Sequence, residues 1–416
     1  MDNSQLVIIT SHYPYGNGEG YLKDELKIAE NYFDRILIFC LDKYAISTNR
    51  YVPKNSVIIQ CRSRKISFKN LLLSFLKLVT GSTLSELAFS SSVYNVCIIK
   101  KIKQLIVDNY IVSILEDCSQ KSIIEYTNTV FYSYWLSSTA KFLVDLKKRH
   151  PEAIYVSRAH GGDCFVDRGY QSYRREILAG LDAIYSISKA GADDLKTNFS
   201  KYLPNYKTIR INRLGIIKDN SYLNKFCFTK DFIRIVSCSN IIELKRLDLI
   251  INSLSLIDFC FIEWIHFGDG KLKENMEEYA NSVLKNNIEF TFLGHVSNHE
   301  IHEYYRTHSV DLFINASDAE GIPVSIMEAY SYGIPAIARD VGGNNEIVEN
   351  GRNGFLLEKS CSPRIIYNSI KKYFYLNMKE KQNLRNDAYD TYKEKFNAEK
   401  NYSEFFLDIL GLINEK

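Results

Sequence analysis

Two carboxylates stand eight positions apart in the run Glu320-Gly321-Ile322-Pro323-Val324-Ser325-Ile326-Met327-Glu328-Ala329. A carboxylate can accept hydrogen bonds from hydroxyls or stabilise a developing cation, so its neighbours decide what it does. The preceding residues 310–316 are apolar, few and bounded by polar side chains, the pattern of a buried parallel strand. Pro323 suits the first position of a helix, which then runs to about Tyr332 with Gly333 as a left-handed stop. That makes Ile322 the N-cap, and isoleucine cannot accept a bond from the first-turn amides. The opening lined by Gly321, Ile322, Pro323, Val324 and Ser325 is thus expected to receive an anionic or hydroxyl-rich ligand. Glu320 stands beside it, and Glu328 lies about 8 Å along the helix. The plainer alternative is a strand-turn-helix with two solvated glutamates.

Three other stretches could carry chemistry. Lys245 lies in the loop after an apolar strand at 233–238, where a lysine can meet an anionic ligand or be a solvated surface charge. His160 follows another apolar strand in Ser157-Arg158-Ala159-His160-Gly161-Gly162-Asp163. Sites in α/β sheets form at that carboxyl edge, and a neutral imidazole can hydrogen-bond a hydroxyl. Arg158 and Asp163 are expected to be its local partners. The loop Tyr13-Pro14-Tyr15-Gly16-Asn17-Gly18-Glu19-Gly20 does not match the dinucleotide pattern G-x-G-x-x-G. Gly16 and Gly18 can still present backbone amides to a phosphate or an acceptor, or form a flexible turn.

The elements that must position these residues are those of a parallel α/β chain. Strands are expected at 6–10, 35–40, 130–135, 153–158, 183–188 and 208–214, then at 233–238, 261–267, 288–293, 310–315 and 334–338. The expected organisation is a first domain over 1–216, a linker over 217–230, a second domain over 231–395 and a returning helix over 396–416. With 416 residues, 46% of them hydrophobic, both domains have ample material for cores. The net charge of +3 gives no reason to expect nucleic acid as a partner. Nine singly spaced cysteines argue against a zinc site or disulfide framework. No Asp-x-Asp is present to hold a metal-bound diphosphate, so no metal and no cofactor are expected. No basic-then-apolar leader and no run of about 20 apolar residues is seen, so a cytoplasmic location is expected.

The string E-G-I-P-V-S-I-M-E-A, followed by Y-G-I-P-A-I-A-R-D-V-G-G-N-N-E-I-V, resembles the donor site of the retaining glycosyltransferases of family 4. The resemblance implies a GT-B fold, two Rossmann-like domains facing each other across a cleft, with the C-terminal helix crossing back to the first. It implies that Glu320 contacts the transferred sugar and Glu328 the ribose of a nucleotide-sugar. Lys245 aligns with a lysine that holds the donor diphosphate, while the arginine position is Asn240, with Arg246 adjacent as a substitute. His160 would lie near the sugar, and Leu293 and Gly294 near the nucleobase. A front-face attack, with the leaving phosphate taking the acceptor proton, is what the resemblance implies.

The segment 61–110 holds eight Lys/Arg and two Asp/Glu, a local net charge of +6. Phe68, Leu71, Leu72, Phe75, Leu76 and Val79 would share one helical face with Lys65, Lys69 and Lys77 nearby. Such a helix either covers the sheet or lies on the inner face of a membrane as a peripheral contact. The resulting expectation is a metal-independent hexosyltransferase that moves a sugar from a nucleotide-sugar to a glycan or lipid-linked acceptor in bacterial surface polysaccharide synthesis. A GT-B nucleotide-sugar epimerase and a non-catalytic GT-B scaffold subunit are the alternatives, the second favoured by Asn240 in place of arginine.

Overall fold

The computed structural model describes residues 4–16, 18–42, 50–61, 72, 74–76, 78, 81–203, 209–218, 229 and 231–416. It divides into Met1–Gly215 with Ala398–Lys416, and Ile216–Asn397. Most of the expected linker lies outside the described residues.

The first unit is a parallel sheet of β1 (Gln5–Thr10), β2 (Arg35–Cys40), β3 (Ser56–Gln60), β4 (Thr129–Ser133), β5 (Ile154–Ala159), β6 (Ala183–Ser186) and β7 (Ile209–Ile211). Their order is β3-β2-β1-β4-β5-β6-β7, so the chain reverses direction of build between β1 and β4. The central strands are buried on both faces, which is why they are near-continuous apolar runs. The helix Ala398–Asn414 belongs to this unit. Its Phe406 meets Tyr32 and Phe33 at ring-centroid distances of 5.8 Å, and its Phe405 meets Tyr132 at 5.1 Å. Strand β3 was not expected, because its five residues are half exposed at the sheet edge and lack a continuous apolar signature. β4 ends at Ser133, two residues earlier than the sequence suggests, and this frees Tyr134 and Trp135 to enter the following loop.

The second unit repeats the plan with β8 (Phe232–Cys238), β9 (Phe261–Phe267), β10 (Ile288–Phe292), β11 (Leu312–Asn315), β12 (Ala336–Arg339) and β13 (Gly354–Leu357). The order β10-β9-β8-β11-β12-β13 puts the reversal between β8 and β11. β11 starts two residues late because the Asp311 carboxylate accepts a bond from the Arg234 amide at 2.9 Å. β13 escapes sequence pattern reading: it has four residues and begins on glycine. The two units are Rossmann-like, and the fold is of the GT-B class.

Candidate active site

In the second unit the loop after β8 carries Lys245 and the loop after β11 carries Glu320, one on each side of the reversal point. The two side chains meet. Lys245 Nζ donates to Glu320 Oε1 at 2.7 Å, and Asn315 Nδ2, at the end of β11, donates to the same oxygen at 3.1 Å. The lysine and glutamate side chains retain 20% and 10% exposure, so the pair is sheltered but open to a ligand.

The turn that carries Glu320 is set by its backing. Gly343 donates its amide to the Gly321 carbonyl at 2.8 Å. Gly342 has φ +55°, and a Cβ there would lie 1.9 Å from the Glu320 carbonyl oxygen. Only glycine lets the two loops approach this closely. This contact keeps the chain extended through Pro323, which has ψ 103° and is itself the N-cap. The helix therefore runs over Val324–Ser331, one residue later than expected, and Ile322 is not the cap. Among the described residues no side-chain cap bond is made at this terminus, and Val324 and Ser325 are partly exposed beside it. Ile322 and Pro323 are buried, so they present backbone rather than side chain. Gly333, with φ +65°, follows the end of the helix.

Glu328 points the other way. Its side chain is buried, accepts from Asn298 Nδ2 at 2.7 Å, and lies 3.9 Å from His302 Nε2, both on the helix Asn298–Thr307. Burial pushes the Cys238 thiol up to about 12, Glu328 adds to the shift and Lys245 opposes it, so the end of β8 feels both charges. Asn240 is exposed in the same loop. Arg246 sits at the left-handed φ of +52° and turns to Asp248 at 2.9 Å and Asp318 at 3.3 Å. Arg339, buried in β12, also bonds Asp318. Burial works against the Asp318 carboxylate, yet the bond from Arg339 and the charge of Arg246 hold it below the usual range. Arg246 is thus engaged with acids rather than aligned with Lys245. Leu293 is exposed after β10, and Gly294, with φ +72°, lies near Lys273. A cavity of about 640 Å³ adjoins the Lys245 loop, lined by Ile242, Leu244, Arg246, Leu272, Met276 and Asp318.

In the first unit His160 follows β5 as the N-cap of the short helix Gly161–Cys164 and is buried. Its ring lies 4.5 Å from that of Tyr134 and 4.6 Å from that of Trp135. Burial, reinforced by the charge of Arg158, pushes the imidazole down to about 3, so it is neutral. Its Nε2 is buried without a partner among the described residues. Asp163 accepts from the His160 amide and, at 2.7 Å, from the Leu136 amide. Arg158 forms a fully buried pair with Glu25 at 3.0 Å. The amides that follow β1 are occupied: Glu19 accepts from Ser11 and His12 at 2.8 Å and from Tyr13 at 2.7 Å. Gly16 and Gly18 sit in this loop, whose carbonyls are tied down by Arg50, at 2.6 Å to Gly18.

Sequence reasoning named Glu320, Glu328, Lys245 and His160 but missed Asn315, Asn298, His302, Asp318 and Trp135. Asn315 had a signal, as the last residue of a strand beside the reversal point.

Residues 222–391 match the family described as glycosyl transferases group 1. The chain is 24% identical over 212 residues to the UDP-N-acetylglucosamine–peptide N-acetylglucosaminyltransferase GtfA subunit of Streptococcus agalactiae, covering 49% of this chain and 40% of that protein. It is 27% identical over 225 residues to the O-antigen biosynthesis glycosyltransferase WbnH of Escherichia coli, covering 53% and 59%. The chain thus spans about half the length of these relatives. Sucrose-phosphate synthase from Thermosynechococcus elongatus superposes with a TM-score of 0.69 at 14% identity, covering 99% of this chain and 100% of that one, and so shares the fold. Among the described residues, no group of three or more His, Cys, Asp or Glu side chains is arranged to hold a metal ion, and no helix is long and apolar enough to cross a membrane.

Proposed function

We propose that the chain is a retaining glycosyltransferase that transfers a hexose from a nucleotide-sugar to a hydroxyl of a glycan or lipid-linked acceptor in surface polysaccharide synthesis. The observation that carries this reading is the Lys245–Glu320 pair beside an uncapped helix terminus at the reversal point of the second sheet. The match to glycosyl transferases group 1 and the similarity to an O-antigen enzyme support it.

In this reading the anomeric carbon–phosphate oxygen bond breaks through an oxocarbenium-like state, and negative charge grows on the departing diphosphate. Lys245 and the amides of Val324 and Ser325 meet that charge, which is stabilisation strongest in the transition state. Glu320 orients Lys245 before the donor arrives and faces the sugar as its positive charge grows. Glu328, fixed by Asn298, takes the ribose hydroxyls, and Leu293 and Gly294 border the base. The acceptor oxygen attacks from the face the diphosphate leaves, and its proton goes to the leaving phosphate oxygen. Asn240 supplies a hydrogen bond where an arginine would supply charge, leaving Lys245 as the main cation.

Ser74 is buried and Leu78 packs against the core, while Leu72, Phe75 and Leu76 are 50%, 49% and 55% accessible, so the stretch covers the core on one side and offers an apolar surface for a peripheral membrane contact on the other. Lys65, Lys69, Lys77, Phe68, Leu71 and Val79 lie outside the described residues. Sedimentation with anionic vesicles should weaken as salt rises; absence of sedimentation at low salt would remove this contact.

Release of nucleoside diphosphate over a panel of nucleotide-sugars, with and without membrane extract, tests the activity. Extract-dependent release from one donor, persisting in excess EDTA, is the expected result. Release without any transferred sugar, or full dependence on added Mn²⁺ or Mg²⁺, overturns the transferase or the metal-independent part respectively.

A further inference from the structure

We propose that Glu19 is a positioning residue for the reaction: through Trp135 it fixes the ring of His160 and the direction of its free Nε2. This rests on the transferase reading for its kinetic consequence, and on the geometry of the first unit alone for its structural one.

Glu19 sits in the left-handed region at φ +56°, between two glycines that adopt such angles more easily. A carboxylate is nevertheless held there, and both oxygens are used. Oε1 accepts from the Ser11 amide at 2.8 Å and from Trp135 Nε1 at 2.6 Å, while Oε2 accepts from the His12 and Tyr13 amides at 2.8 and 2.7 Å. An internal anion thus fills the cradle of amides that follows β1. It joins the loop after β1 to the loop after β4, across the reversal point of the sheet.

The far side of the indole bears on His160. Trp135 and Tyr134 pack against the imidazole at 4.6 and 4.5 Å, tilted by 46° and 44°, and meet each other edge-on at 5.5 Å, so the three rings form one cluster in which the indole is one wall of the histidine. His160 is 7% exposed, and its Nε2 has no partner among the described residues. A buried polar atom left open in this way is costly unless a ligand completes it. Its usefulness depends on where it points, and the Glu19–Trp135 bond fixes one of the two walls that decide this.

The test uses Glu19→Gln and Trp135→Phe in the full chain. The indole N–H proton resonance of Trp135, assigned by its loss in Trp135→Phe, should move upfield and exchange faster with solvent in Glu19→Gln. This readout needs no turnover, so it separates the proposal from the transferase reading. With donor and membrane extract, each variant should lower kcat about 10-fold with donor KM unchanged, and neither should lower it further in a His160→Ala background. An unchanged indole resonance overturns the contact. A kcat loss of the same size in the His160→Ala background, or one explained by a smaller folded fraction, overturns the positioning role.

Discussion

The two halves of the chain use one sheet order twice and close it with an acid each time, but to different ends. In the first unit Glu19, from the loop after β1, reaches Trp135 in the loop after β4 and consumes the amides around it. In the second, Glu320, from the loop after β11, reaches Lys245 in the loop after β8 and leaves the adjacent helix terminus uncapped. The first acid is satisfied internally and links its loops. The second holds a cation at the edge of an open terminus. The same topological position is therefore internally satisfied in one unit and left with an uncapped helix start in the other, and what separates them is whether the local donors are already spent.

The largest effect should come from removing the cation. Lys245→Ala is expected to lower kcat at least about 10²-fold while the fold is retained, because the diphosphate loses its main counter-charge. Activity near wild type in the folded variant would make this loop no different from the braced one.

The two glutamates of the helix should then separate. Glu320→Gln keeps shape but removes the charge facing the sugar, so kcat should fall about 10-fold with donor KM little changed. Glu328→Gln should mainly raise donor KM, by several-fold, once its stability has been checked, since its side chain is buried against Asn298. A reversed pattern would exchange the roles assigned along this helix.

A smaller effect tests the backing of the site. Gly342→Ala places a Cβ against the Glu320 carbonyl and strains a positive φ, so stability should drop by about 1–3 kcal/mol in urea unfolding. An unchanged midpoint would mean the loop yields easily and does not set the Glu320 turn.

The sequence disclosed the strands of both sheets where they are long and buried, because an apolar run carries its own signature. It singled out Glu320, Glu328 and Lys245 through their flanking residues. It did not disclose that Lys245 and Glu320, 75 residues apart, touch, since pairing across a reversal point has no local pattern. Glu19 was legible as an acid in a glycine-rich loop that could either offer its amides or form a flexible turn; that its own carboxylate takes those amides is revealed only by the three-dimensional turn. Pro323 was placed one residue too deep, because proline suits both the cap and the first turn, and the Gly343 contact that decides between them comes from a later loop.

In the proposed function the second unit's reversal point binds a nucleoside diphosphate through Lys245. Isothermal titration of the full chain with UDP, GDP and ADP measures this without requiring the acceptor. One of the three should bind the wild type, and Lys245→Ala should bind it at least about 10-fold more weakly, a change of about 1.4 kcal/mol. Equal affinity in the two proteins, or no binding of any of the three to the wild type, would contradict the account.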